Sequence, residues 1–153
     1  MGLIELKTGS AESTLDDKGR VNIPVRFREH FQEELIITRG MQRCVWVMTP
    51  SVWKHFEKTL NESENVNQEE RFALEDKHLN EAQIVELDKA GRIAIPSIFR
   101  KYANLKKECT VIRNEGLLVI WDSDVYDAYL AEKDPVAQTA MNKLGSRNIF
   151  KAG

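Results

Sequence analysis

Short runs of alternating apolar and polar residues, broken by turn formers, dominate the first fifty positions. Residues 11–15 read as a strand ending on Leu15, and Asp17-Lys18-Gly19 reads as a turn in which Gly19 can take a positive φ. Val21 and Ile23 then fall on one face of a second strand, residues 20–23, with Arg20 and Asn22 on the other. Pro24 ends sheet pairing and suits the first turn of a helix over residues 25–31, where Phe27 and Phe31 point inward. Two β-branched runs, residues 35–38 and 44–48, flank Arg39-Gly40-Met41-Gln42-Arg43 and predict a hairpin. Thr49 and Pro50 open a helix with an apolar stripe of Val52, Trp53, Phe56 and Leu60. Residues 1–10 carry no such pattern and are expected to form a mobile arm.

The same order of elements then returns. Residues 84–87 and 92–95 read as strands around a turn at Lys89-Ala90-Gly91, and a helix starts at Pro96. Strands over 110–113 and 117–121 follow, joined by Asn114-Glu115-Gly116, and Ser123 caps a helix carrying Val125, Tyr126, Tyr129 and Leu130. Residues 15–28 and 87–100, offset by 72, are identical at Leu15/Leu87, Asp16/Asp88, Gly19/Gly91, Arg20/Arg92, Ile23/Ile95, Pro24/Pro96, Phe27/Phe99 and Arg28/Arg100. Eight identities in fourteen positions mark an internal duplication. Between the copies, residues 61–67 are polar and loop-like, and residues 68–79 read as one helix. After Asp134-Pro135 a separate helix over 136–144 is expected to end at Gly145, followed by a polar, fraying tail.

One copy of about 45 residues buries too little surface to be stable alone. Two copies can share a core, with their hairpins interlocked about a pseudo-two-fold axis. The expected fold is therefore α+β and mainly β, a single barrel-like core with peripheral helices. The predicted segments are a first repeat over residues 10–55, an acidic helical connector over 56–82, a second repeat over 83–126 and a C-terminal helical extension over 127–153. Such an axis would also put the two Gly-Arg turns on one side of the molecule.

Charge sharpens the picture. The formal net charge is only −2, but its distribution is uneven. Residues 88–107 hold Lys89, Arg92, Arg100, Lys101, Lys106 and Lys107 against Asp88, whereas residues 57–86 hold nine acids against three bases. A local basic surface is what phosphate binding requires. No apolar run approaches the roughly 20 residues that span a bilayer, and the cytosol is the default compartment. Cys44 and Cys109 read as reduced core thiols, and His30, His55 and His78 share no metal-ligand spacing. No metal, cofactor or small-molecule substrate is expected. Asp16, Asp17 and Asp88 have no His, Cys or Ser constellation beside them, so no enzyme is expected either.

Arg20 and Arg92 follow the turn glycines directly, so each guanidinium projects from a rigid strand start, suited to a phosphate or to guanine O6 and N7. Asp16 and Asp88, four positions earlier, can orient them by a salt bridge across the turn. Arg28 and Arg100 would widen the basic strip, with Lys18 and Lys89 in the turns beside it. The aromatic residues Trp46, Trp53, Trp121, Tyr126 and Tyr129 read as core or subunit packing.

The doubled Asp-x-x-x-Arg pattern, each copy running into Ile-Pro and then Phe-Arg, resembles the bacterial MraZ family. Each half is similar to the swapped-hairpin domain of AbrB-like transition-state regulators. The resemblance covers about residues 10–130. It implies a sequence-specific transcriptional regulator of double-stranded DNA, binding short direct repeats upstream of the division and cell-wall gene cluster, its own promoter included. It also implies ring-shaped homo-oligomers in the cytoplasm, associated with the nucleoid. Arg20 and Arg92 carry over as DNA contacts, with Arg28, Arg100 and Lys101 beside them. An alternative class stays open: an antitoxin-like module whose C-terminal helix, residues 136–144, clasps a protein partner.

Overall fold

The computed structural model describes residues 4–145 and 149–151. The arm and tail readings for residues 1–3, 146–148 and 152–153 lie outside the described residues. The chain divides into two compact units, residues 1–123 and 124–153.

In the first unit the order is β1 (Thr8–Thr14), β2 (Arg20–Asn22), α1 (Val25–Arg28), β3 (Leu35–Arg39), β4 (Val45–Met48), α2 (Pro50–Glu62) and α3 (Gln68–Leu74). Then come β5 (Gln83–Val85), β6 (Arg92–Ala94), α4 (Ser97–Tyr102), β7 (Glu108–Asn114) and β8 (Leu117–Asp122). Six strands form one antiparallel sheet in the order β1-β7-β8-β4-β3-β5, and β2 pairs with β6 in a separate ribbon. Exchanging β1 with β5, β3 with β7 and β4 with β8 reproduces that order read backwards. This is the pseudo-two-fold relation expected of the duplication.

The strands are swapped between repeats. β1 belongs to the first repeat but pairs with β7 of the second, and β5 of the second pairs with β3 of the first. The axis runs through equivalent residues: Val21 faces Ile93 in the ribbon, and Trp46 faces Val119 where β4 meets β8. Neither repeat could satisfy its backbone groups alone, so the unit that folds is the pair. Val21, Ile23 and Phe31 pack in one core with Ile93, Ile95 and Phe99, each at most 2% exposed. The mainly-sheet α+β class expected from the duplication is the one adopted, with the barrel-like core left open rather than closed by one continuous ladder.

Local details depart from the sequence reading in three places. Residues 8–10 belong to β1, paired with Asn114, Arg113 and Ile112, and are not part of an arm. Their partner lies about a hundred positions away, and Thr8-Gly9-Ser10 has no apolar alternation to announce a strand. The helix expected over 68–79 keeps α geometry only to Leu74 and widens into a π-helical turn over Glu75–Leu79. That turn carries His78, 4% exposed, into a stack on Trp46 at 5.1 Å. Finally, Pro135 does not begin a new helix.

In the second unit one helix, α5 (Ser123–Leu144), opens at the last residue of the first unit and runs through Pro135 without a break. No residue of α5 is buried, and Leu130, Val136, Met141 and Leu144 are exposed. Cys44 and Cys109 are free and buried, with thiols pushed up by desolvation to about 12 and about 11. Both stay protonated and inert at neutral pH.

Candidate nucleic-acid interface

The β2–β6 ribbon sets the site. In an antiparallel pair, directly opposed residues share a face, as do positions i and i+2. Arg20 opposes Ala94 and Asn22 opposes Arg92, so all four side chains leave from one face. Val21 and Ile93 occupy the other face and are fully buried. The two arginines therefore point the same way, away from the core.

Each turn is closed by its aspartate. Asp16 Oδ1 accepts the backbone N–H groups of Lys18 and Arg20, both at 2.9 Å, while Oδ2 accepts Arg20 Nε at 2.8 Å. Asp88 does the same with Ala90 at 3.0 Å, Arg92 N–H at 2.9 Å and Arg92 Nε at 2.9 Å. One carboxylate thus fixes both the turn backbone and the guanidinium that follows it. The backbone N–H of Arg20 holds the Asp16 carboxyl below its ordinary value, and that of Arg92 does so for Asp88. Asp16 also lies 3.9 Å from Arg92 Nη1. It therefore braces two arginines, where Asp88 braces one.

The glycines meet two demands at once. Gly19 and Gly91 have φ of +77° and +80°, the left-handed region that a side chain disfavours. Each also lies under a guanidinium from the opposite repeat. A Cβ on Gly19 would sit 3.0 Å from Cζ and Nε of Arg100, and one on Gly91 would collide with Nε and Cζ of Arg28. The sequence announced the first demand and gave no view of the second.

Arg28 and Arg100 are half-buried and cross between repeats. Arg28 Nε donates to Ile23 O at 2.7 Å and Arg100 Nε to Ile95 O at 3.0 Å. Those two isoleucines reach the opposite turns, since Ile23 N–H donates to Gly91 O and Ile95 N–H to Gly19 O, both at 2.9 Å. Lys18 and Lys89 are exposed in the turns, and Lys101 is exposed on α4. Arg26, which the duplication left unmatched, donates to Ser10 O at 2.7 Å and lies over the Phe27 ring.

The motif-carrying repeats also align with a known family. The family described as "MraZ protein, putative antitoxin-like" matches residues 6–76 and again residues 79–146. The chain belongs to the MraZ family. A "Transcriptional regulator MraZ" from Treponema denticola is 33% identical over 139 residues, spanning 90% of this chain and 96% of the relative. The two MraZ matches fall one on each repeat, and the seam between them lies within the π-helical turn that seats His78. Among the described residues no helix is long and apolar enough to cross a membrane.

Proposed function

We propose that this chain is a DNA-binding transcriptional regulator, not an enzyme, whose contact surface is the outward face of the β2–β6 ribbon. The observation that carries this reading is the ribbon register, which aims Arg20 and Arg92 in one direction with their Nε edges held by Asp16 and Asp88. A guanidinium held in place at a strand start loses less freedom on meeting a phosphate or a base edge than one on a loop. Lys18, Lys89 and Lys101 add phosphate contacts around the pair. Residues 10–55 and 83–126 are then the contact repeats, 56–82 the connector and 127–153 the extension.

The targets would be short direct repeats upstream of the division and cell-wall genes, the chain's own promoter included, and the protein would act at the nucleoid in the cytoplasm. A ring-shaped homo-oligomer would align several such faces and raise affinity through effective concentration. Exposed Leu130, Met141 and Leu144, which share one side of α5, support self-association through that helix. The same surface would serve a protein partner in an antitoxin-like role. Deleting residues 136–144 tests this: loss of partner capture or of the oligomer with intact DNA contacts places association on α5.

The direct test is fluorescence anisotropy on a promoter fragment with Arg20→Ala/Arg92→Ala, checked by size-exclusion with light scattering. Affinity should fall by at least about 30-fold, the loss of two arginine contacts, while the oligomer persists. Unchanged affinity would remove the ribbon face from the interface.

A further inference from the structure

Arg28 and Arg100 act as straps, each tying a turn to the repeat that does not contain it. Arg28 of the first repeat lies over Gly91, whose next residue is Arg92, and Arg100 of the second lies over Gly19, before Arg20. We propose that Arg28 and Arg100 are positioning residues acting across the pseudo-two-fold, Arg28 for Arg92 and Arg100 for Arg20, and that Asn22 makes the Arg92 corner the stiffer of the two. This rests on the reading that the ribbon arginines contact DNA.

The chemistry follows from the donors. Arg28 spends Nε on Ile23 O, and its Nη2 donates to Asn22 Oδ1 at 3.0 Å, so two bonds fix the plane of the guanidinium above Gly91. Ile23 N–H in turn holds Gly91 O at 2.9 Å. Backbone and side chain of one repeat thus clamp the other repeat's turn from two sides. Among the described residues Arg100 is held at Ile95 O alone, because the residue equivalent to Asn22 is Ala94, whose side chain has no acceptor. The Arg92 guanidinium also meets two carboxylates, Asp88 at 2.9 Å and Asp16 at 3.9 Å. Both differences act in the same direction. An arginine serving mainly to hold a turn has its Nε edge turned inward, and its loss is felt at the guanidinium it positions.

Double-mutant cycles on promoter affinity read the crossing directly. Arg28→Ala should weaken binding by roughly 5- to 100-fold, no more than the arginine contact it supports. Arg28→Ala/Arg92→Ala should then be no weaker than Arg92→Ala, while Arg28→Ala/Arg20→Ala should show the product of the two single losses. Arg100→Ala should mirror this with Arg20. Asn22→Ala should weaken the Arg92 contribution, and Ala94→Asn, which supplies the missing acceptor, should strengthen the Arg20 contribution. If Arg28→Ala fails to fold, Arg28→Lys keeps the charge without the two-bond fork and serves in its place. Additive cycles throughout, or coupling of Arg28 to Arg20, would overturn the crossing and make Arg28 a direct contact. Unchanged affinity in Arg20→Ala and Arg92→Ala as well would overturn the DNA reading itself, and the positioning role with it.

Discussion

The two repeats keep the same closing aspartate, turn glycine, ribbon arginine and strap arginine, yet they differ in the segments beyond that motif. The first repeat has a five-residue connection between β3 and β4, and the π-helical turn of the connector stacks His78 on its Trp46. The second has a tight Glu115-Gly116 turn, with Val119 in the place of Trp46. The difference separates what the shared core and corner require from what each half is free to vary. Core and corner positions such as Ile23/Ile95, Phe27/Phe99, Arg20/Arg92 and Arg28/Arg100 are identical. Asn22/Ala94 in the ribbon and Trp46/Val119 between β4 and β8 have diverged, although each lies against the other repeat.

Four measurements would break or sharpen that comparison. The largest effects should come from the core, where Phe27→Ala and Phe99→Ala should each cost about 3–5 kcal/mol in urea unfolding. Comparable losses, each through a single cooperative transition, fit one shared core; two separate transitions would show that the halves fold independently. Next come the turns. Gly91→Ala and Gly19→Ala each force a side chain into the left-handed region at about 1–2 kcal/mol, and Gly91→Ala should cost more, because Arg28 is pinned by two bonds above it. Equal costs would remove the asymmetry of the corners.

The third is a pH effect at His78, the connector residue stacked on Trp46. Burial pushes the His78 ring below its ordinary 6.5, with Nδ1 2.8 Å from Arg39 O. Such a base is protonated more readily unfolded than folded. Its contribution is complete above pH 6.5 and declines as pH falls below it, with a slope of at most about 1.4 kcal/mol per pH unit. His78→Phe should flatten the stability–pH curve in that window; an unchanged slope would assign it to other groups. The smallest effect belongs to the braces. Asp16→Asn should reduce promoter affinity more than Asp88→Asn does, since Asp16 meets two arginines, and neither should unfold the protein. Because both carboxyls are depressed, their hold is intact above the ordinary value of 3.8 and is lost only as pH falls through the lower folded values.

Much of this was legible in the chain because the duplication prints its constraints twice. Leu15/Leu87 through Arg28/Arg100 located both turns, and alternation at Val21 and Ile23 placed Arg20 opposite the core. What periodicity cannot carry is which strand pairs with which. Hence β1 was placed three residues late, since Thr8 is a strand residue only by virtue of Asn114. The crossed straps were hidden for the same reason. Gly19 and Arg28 repeat at fixed spacing as Gly91 and Arg100, but spacing alone says nothing about the arginine lying over the other copy's glycine. Nor did Pro135 stop α5, because the elongated helix continues on either side of one missing donor.

The partner of β1 emerges late from the ribosome. Strand Thr8–Thr14 is made first, and its complement Glu108–Asn114 follows after roughly a hundred further residues, some 5–20 seconds of synthesis. Throughout that interval the nascent first half carries strand edges with nothing to zip against, while identical halves wait on neighbouring ribosomes of the same message. Loop closure over such a span is slow, so the edge of the first strand stays open until the second repeat has been made.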